Sequence, residues 1–196
     1  MKFKVFCLSL VIISFVYLTG CMNVAQVTAE QSEENLKFYR DEVMNICKEY
    51  DVKIIDSENE KLSIKMYLSV SEDQEIDIDI SNSAYYDGEV PTGREDFSIG
   101  YNKSTSSDYN VDLFVDLVNA MSGRILSKEF CEEFLAASEE DYPCERYGDE
   151  KQPDEISHKS YSLNFFEDWN IGDIVYDNNT EELRFTGLTK TGTNGQ

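Results

Sequence analysis

Residues 75–80 read Glu-Ile-Asp-Ile-Asp-Ile. In an extended chain successive side chains point to opposite faces, so Glu75, Asp77 and Asp79 line one face and Ile76, Ile78 and Ile80 the other. A strand of this kind belongs in a sheet with one face packed and one face wet. The rest of the chain must then supply amphipathic elements for the packed side alone. The simplest reading of the carboxylate row is the solvated outer face of a half-buried strand. A row of acids also has the chemistry to attract Ca²⁺ or a basic partner.

The remaining periodicities fit that demand. Residues 32–50 place Leu36, Tyr39, Val43, Ile46, Cys47 and Tyr50 three and four apart, with Glu33 and Glu34 in the first turn, and predict a helix. Residues 52–55, 62–70 and 75–80 predict three strands, separated by two polar tetrapeptides, in an antiparallel meander. A second helix is expected over 108–121, carried by Val111, Phe114, Val115, Val118 and Met121 and stopped by Gly123. A third is expected from an N-cap at Ser127 to about residue 138. After a polar loop over 139–156, strands are expected at 160–166, 171–176 and 183–188, with Asp177-Asn178-Asn179-Thr180 as the turn between the last two. The order is helix, three strands, two helices, three strands. It predicts one α+β domain over 32–188, with helices on one face of a mainly antiparallel sheet. It also hints at a helix-then-meander unit written twice. This layout is similar to that of the β-lactamase-inhibitor-like domains of secreted and lipid-anchored bacterial proteins, in element order alone. Residues 189–196 are rich in Gly, Thr and Asn and read as a flexible tail.

The N-terminus carries an address. Lys2 and Lys4 precede an apolar run over 5–18, which at 14 residues is short for a spanning helix. It ends in Leu18-Thr19-Gly20-Cys21, which resembles the lipobox of bacterial lipoproteins. The resemblance implies a signal peptide over 1–20 and an acylated Cys21, followed by a tether over 21–31. Two rivals are secretion with a cut after Ala29 and an uncleaved signal anchor. All three place the body outside the cytoplasm, and acyl chains on Cys21 add a membrane anchor.

Charge narrows the partners. The chain has 17 Lys and Arg against 39 Asp and Glu, a net of -22. Loss of residues 1–20 removes two Lys and no acid, so the remaining body is more acidic still. Phosphate recognition needs basic patches that this composition does not supply, which argues against nucleic acid. A basic protein or a cell-wall component is the expected partner.

Of the cysteines, Cys47, Cys131 and Cys144 remain in the body. A Cys131–Cys144 bridge closing a short loop is the favoured pairing, with three reduced thiols as the alternative. Cys47 falls on the apolar face of the first helix and reads as a buried thiol.

The stretch from 82 to 107 holds Tyr85, Tyr86, Arg94 and Tyr101 among many Gly, Ser and Asn. Tyr in such company is the composition of adaptable recognition loops. It is the expected binding surface, together with Glu75, Asp77 and Asp79; a mobile loop, or an extra edge strand over 96–101, is the plainer reading. Phe165, Phe166 and Trp169 read as core at a strand end. His158 has no second His or paired Cys for a zinc site or a triad. Asp168-x-Asn170-x-Gly172 puts its Gly one position early for an EF-hand loop. No phosphate loop, serine elbow or HExxH motif occurs, so no cofactor or metal is expected. The sequence therefore points to a non-enzymatic acidic binding module. Two alternatives remain: a hydrolase acting on cell wall through an Asp/Glu pair, or an immunity or exclusion lipoprotein that neutralises a basic protein.

Overall fold

The computed structural model describes residues 29–82, 95–104, 107–123, 126–138, 141, 158–164 and 171–189. Cys21, Tyr85, Tyr86, Arg94, Cys144, Phe165, Phe166 and Trp169 lie outside them. The described elements are α1 (Ala29–Glu49), β1 (Lys53–Glu60), β2 (Ser63–Ser71), β3 (Gln74–Asn82), β4 (Glu95–Lys103), α2 (Val111–Ser122), α3 (Lys128–Ala136), β5 (His158–Asn164), β6 (Ile171–Asp177) and β7 (Glu182–Leu188). This is the expected α+β class. The strands form one antiparallel sheet in the order β1-β2-β3-β4-β7-β6-β5. Two meanders meet at their last strands, the order that a duplicated unit about a local two-fold axis produces.

One strand was not expected as a partner in the meanders. Residues 95–103, inside the anticipated loop, are a central strand rather than a loop or an edge strand. Tyr101, anticipated as part of a recognition surface, is fully buried on it. β1 also runs past the predicted residues 52–55 to Glu60, because pairing with β2 rather than burial of its own side chains holds it.

The helices cover a single face. Ile76, Ile78, Ile80, Phe97, Ile99, Tyr101, Leu183 and Phe185 are buried beneath Leu36, Tyr39 and Val43 of α1 and Phe114, Leu117 and Val118 of α2. The caps follow the expected chemistry. Ser127 Oγ accepts from Phe130 N at 3.1 Å and Asn110 Oδ1 from Leu113 N at 3.2 Å, while Gly123 closes α2 at φ 85°. Lys159, fully buried, finishes α3: its Nζ donates to the carbonyls of Leu135 and Ala137 at 2.8 Å each. Cys131 is a buried free thiol, pushed up to about 12 by burial, and Cys144, its anticipated partner, lies outside the described residues. Cys47 is a buried free thiol as expected.

Two carboxylates tie loops to this frame. Asp73, in the β2–β3 turn, accepts from the hydroxyls of Ser107, Ser71 and Ser104, which hold it down at about 2. Those bonds fasten the approach to α2. Glu95 is fully buried where β3 ends and β4 begins, accepting from Thr189 Oγ1 at 3.0 Å and Asn35 Nδ2 at 3.4 Å. Burial raises its pKa, and its hydrogen-bond donors are neutral groups.

Two tests follow. A carboxyl with a raised folded pKa contributes stability that is full below its unfolded pKa and lost as pH rises through the folded one. Glu95→Gln is thus expected to raise the denaturation midpoint at pH 7 and to leave it near wild type at pH 4; equal effects at both would refute the assignment. Gly172 lies under the ring of Phe185, where a Cβ would collide with it. Because that ring is fully buried, Gly172→Ala is expected to cost about 1–3 kcal/mol in chemical denaturation.

Candidate functional site

The face opposite the helices is where the expected acids gather. Register places side chains of alternate residues there. They include Asp56, Glu58 and Glu60 from β1, Glu75, Asp77 and Asp79 from β3, and Asp96 from β4. Asp173 and Asp177 from β6 and Glu182 from β7 complete ten carboxylates among the described residues, against three described cations, Lys53, Lys65 and Arg184. The expected row of Glu75, Asp77 and Asp79 is thus a stripe within a larger acidic field. None of the three described helices lies on this side.

Two of the cations are already engaged. Asp77, Gly100 and Arg184 lie abreast on β3, β4 and β7. Because Gly100 has no side chain, the Arg184 guanidinium lies across β4 and reaches the Asp77 carboxylate at 3.3 Å. The same group donates from Nη1 to Ser98 Oγ at 2.7 Å and from Nε to Glu182 Oε1 at 2.7 Å. A Cβ at position 100 would collide with both Arg184 and Asp77. Lys65 sits 3.7 Å from Asp79. The other carboxylates supply the face's excess negative charge.

Two depressions break the surface. One, of about 520 Å³, is lined by Asp79, Asp96, Ser98, Asp173 and Thr186. Burial raises the Asp96 carboxyl, which favours its protonated form. A second, of about 350 Å³, lies between Ile55, Tyr67, Glu75, Asp77 and Asn102. Tyr67 and the bulge residue Ile55, at 41% and 53% exposed, are large apolar side chains open to solvent here. Sequence reasoning passed over both, since Tyr67 is one ordinary β-former in a predicted strand and Ile55 needed the bulge to place it. Among the described residues no three His, Cys, Asp or Glu side chains are placed to hold a metal ion.

Comparison of the chain with protein-family models, curated proteins and solved structures returned no match. Function therefore rests on the site itself. The site is an open, acidic surface with the exposed ring of Tyr67 beside it.

The Arg184 crossing can be tested through Gly100. Gly100→Ala and Arg184→Thr are each expected to lower stability by about 1 kcal/mol or less, the scale of a half-exposed ion pair. The double variant should lose less than the sum, because both changes remove one crossing. Strict additivity in urea denaturation would show that Gly100 serves another purpose.

Proposed function

We propose that this chain is a lipid-anchored extracytoplasmic binding module that docks a basic protein or cell-wall component on its acidic sheet face. The observation that carries the reading is the sheet face free of described helices, with ten carboxylates against three cations among the described residues. Such a surface attracts a basic partner over a distance of roughly a Debye length, about 8 Å at physiological salt. The lipobox-like Leu18-Thr19-Gly20-Cys21 supports the anchor. Neutralisation of a basic toxin or phage factor is one form this docking takes.

A second reading is favoured by the larger depression. A carboxyl raised by burial beside other carboxylates is the pairing that glycan hydrolysis uses for its acid and base. Release of soluble fragments from purified cell wall, lost in Asp96→Asn, would support the hydrolase over the docking module.

For the docking reading, binding of immobilised chain to poly-lysine or another basic protein is expected to weaken at least about tenfold between low and physiological salt. Glu58→Lys with Glu75→Lys should weaken it further. Salt-insensitive binding, or binding untouched by that reversal, would overturn the mechanism. For the anchor, Cys21→Ser is expected to abolish palmitate labelling and release the chain from the membrane fraction. Labelling that persists would place the acyl group elsewhere.

A further inference from the structure

A second recognition feature lies on the helix side of the sheet, away from the acidic face. A hollow of about 380 Å³ opens where the start of α2, the end of α3 and β6 converge. Its walls are the rings of Tyr109 and Tyr176 and the apolar side chains of Val111 and Leu135. The exposed residues Asp108 and Glu132 also line it.

The rings are held in place. Tyr176 Oη donates to Glu181 Oε2 at 2.8 Å and Tyr109 Oη to the Glu181 carbonyl at 2.7 Å. Tyr109 packs edge-on to Tyr176 at 6.1 Å and to the buried Tyr101 at 5.2 Å. Tyr101 Oη is itself tied to Gln74 Oε1 at 2.9 Å. Fixed aromatic walls present a ligand with a shape that costs little to organise.

The charges of the hollow select a cation. Lys103 also lines it, but its Nζ is 2.9 Å from Glu181 Oε2, so that pair is internally neutral. Asp108 and Glu132 remain, and the nearest cation to Glu132, Lys128 at 3.9 Å, is bound more closely to Asp112 at 2.6 Å. The ring faces already carry cations of the protein's own: Lys103 Nζ stands 5.0 Å from the Tyr109 centroid and Lys159 Nζ 5.2 Å from that of Tyr176. Each of those ammonium groups occupies one face of its ring, so a bound cation must use the remaining ring surface and the carboxylates. Anions face two carboxylates and a chain of net charge -22.

We propose that this hollow binds an alkylammonium or alkylguanidinium group carried on an apolar stem. The stem contacts Val111 and Leu135, and the cationic head lies by the tyrosine rings and the Asp108 and Glu132 carboxylates. The volume is at the small end of ligand sites, which suits a fragment-sized ligand or a single side chain. Burial keeps both phenols protonated well above neutral pH, so the rings attract the cation through their π faces. The site is independent of the acidic sheet face, and either can fail while the other stands.

The test is a titration of the full chain, ¹³C-labelled at tyrosine, with tetramethylammonium, butylammonium and butylguanidinium chlorides at constant ionic strength. Saturable shifts of the Tyr109 and Tyr176 resonances with millimolar affinity are expected, and none from NaCl. Ala136→Phe fills the hollow from an exposed helix position and should abolish the shifts. Glu132→Gln, an exposed change that leaves the fold intact, should weaken binding roughly three- to tenfold. No saturable shift in the unsubstituted chain overturns the proposal, as does unchanged affinity in Glu132→Gln or in a folded Ala136→Phe. The same titration with acetylated tripeptides centred on Lys or Arg separates the sources. Tighter binding than the free butyl cations assigns the ligand to a protein side chain, and equal or weaker binding assigns it to a free small cation.

Discussion

The antiparallel pairing of β4 with β7 joins the two meanders into one sheet. Every strand on one side reaches every strand on the other through that seam. Its inner face is apolar, with Phe97 stacked on Phe185 at 5.7 Å and Ile99 registered beside Phe185. On its outer face the Arg184 guanidinium crosses Gly100 to Asp77, so a third strand is tied in by side chains as well as by backbone. Loss of the seam would leave a four-stranded and a three-stranded sheet and separate Phe97 from Phe185.

Around this joint the chain separates its charges by role. Groups that fasten the frame are buried or engaged: Glu95 at the end of the sheet, Lys159 on the carbonyls closing α3, and Glu181 gathering Lys103, Tyr109 and Tyr176. Glu181 does this at φ 52°, a left-handed conformation unusual for a side chain of its length, held by the contacts it makes. Of the remaining charges, a dense acidic group faces solvent on the outer sheet and others lie on the exposed sides of the helices. The acidic residues of the outer face stand apart from the apolar core cluster, although Asp77 and Glu182 also hold Arg184 across the seam.

How far the chain could be read varied with the kind of signal. The helices were legible because burial repeats every three or four residues, and Ser127 and Gly123 mark two of their ends through local bonds; the N-cap at Asn110 emerged only in the structure. β4 was not. Its inward residues Phe97, Ile99 and Tyr101 alternate clearly, but Ser98 and Gly100 between them read as loop composition. They are small because Arg184, more than eighty residues later, lies over them. Tyr101 was misplaced for the same reason. Of the expected site, Glu75, Asp77 and Asp79 were legible as a face. Their company from β1, β4, β6 and β7 was not, since no periodicity within one strand states its neighbour.

The sequence by itself determined the alternation of acid and isoleucine, and with it a sheet wet on one side and packed on the other. It also determined the helices that pack it and the excess of negative charge. These are local or compositional properties, set by the period of the backbone and the count of side chains. The tertiary structure alone decided which strands lie side by side, that Arg184 pairs with Asp77, and that Tyr109 and Tyr176, distant in sequence, wall one hollow. Those outcomes depend on contacts between residues far apart in the chain, whose pairing is settled only when the two meanders meet and bury their shared apolar face.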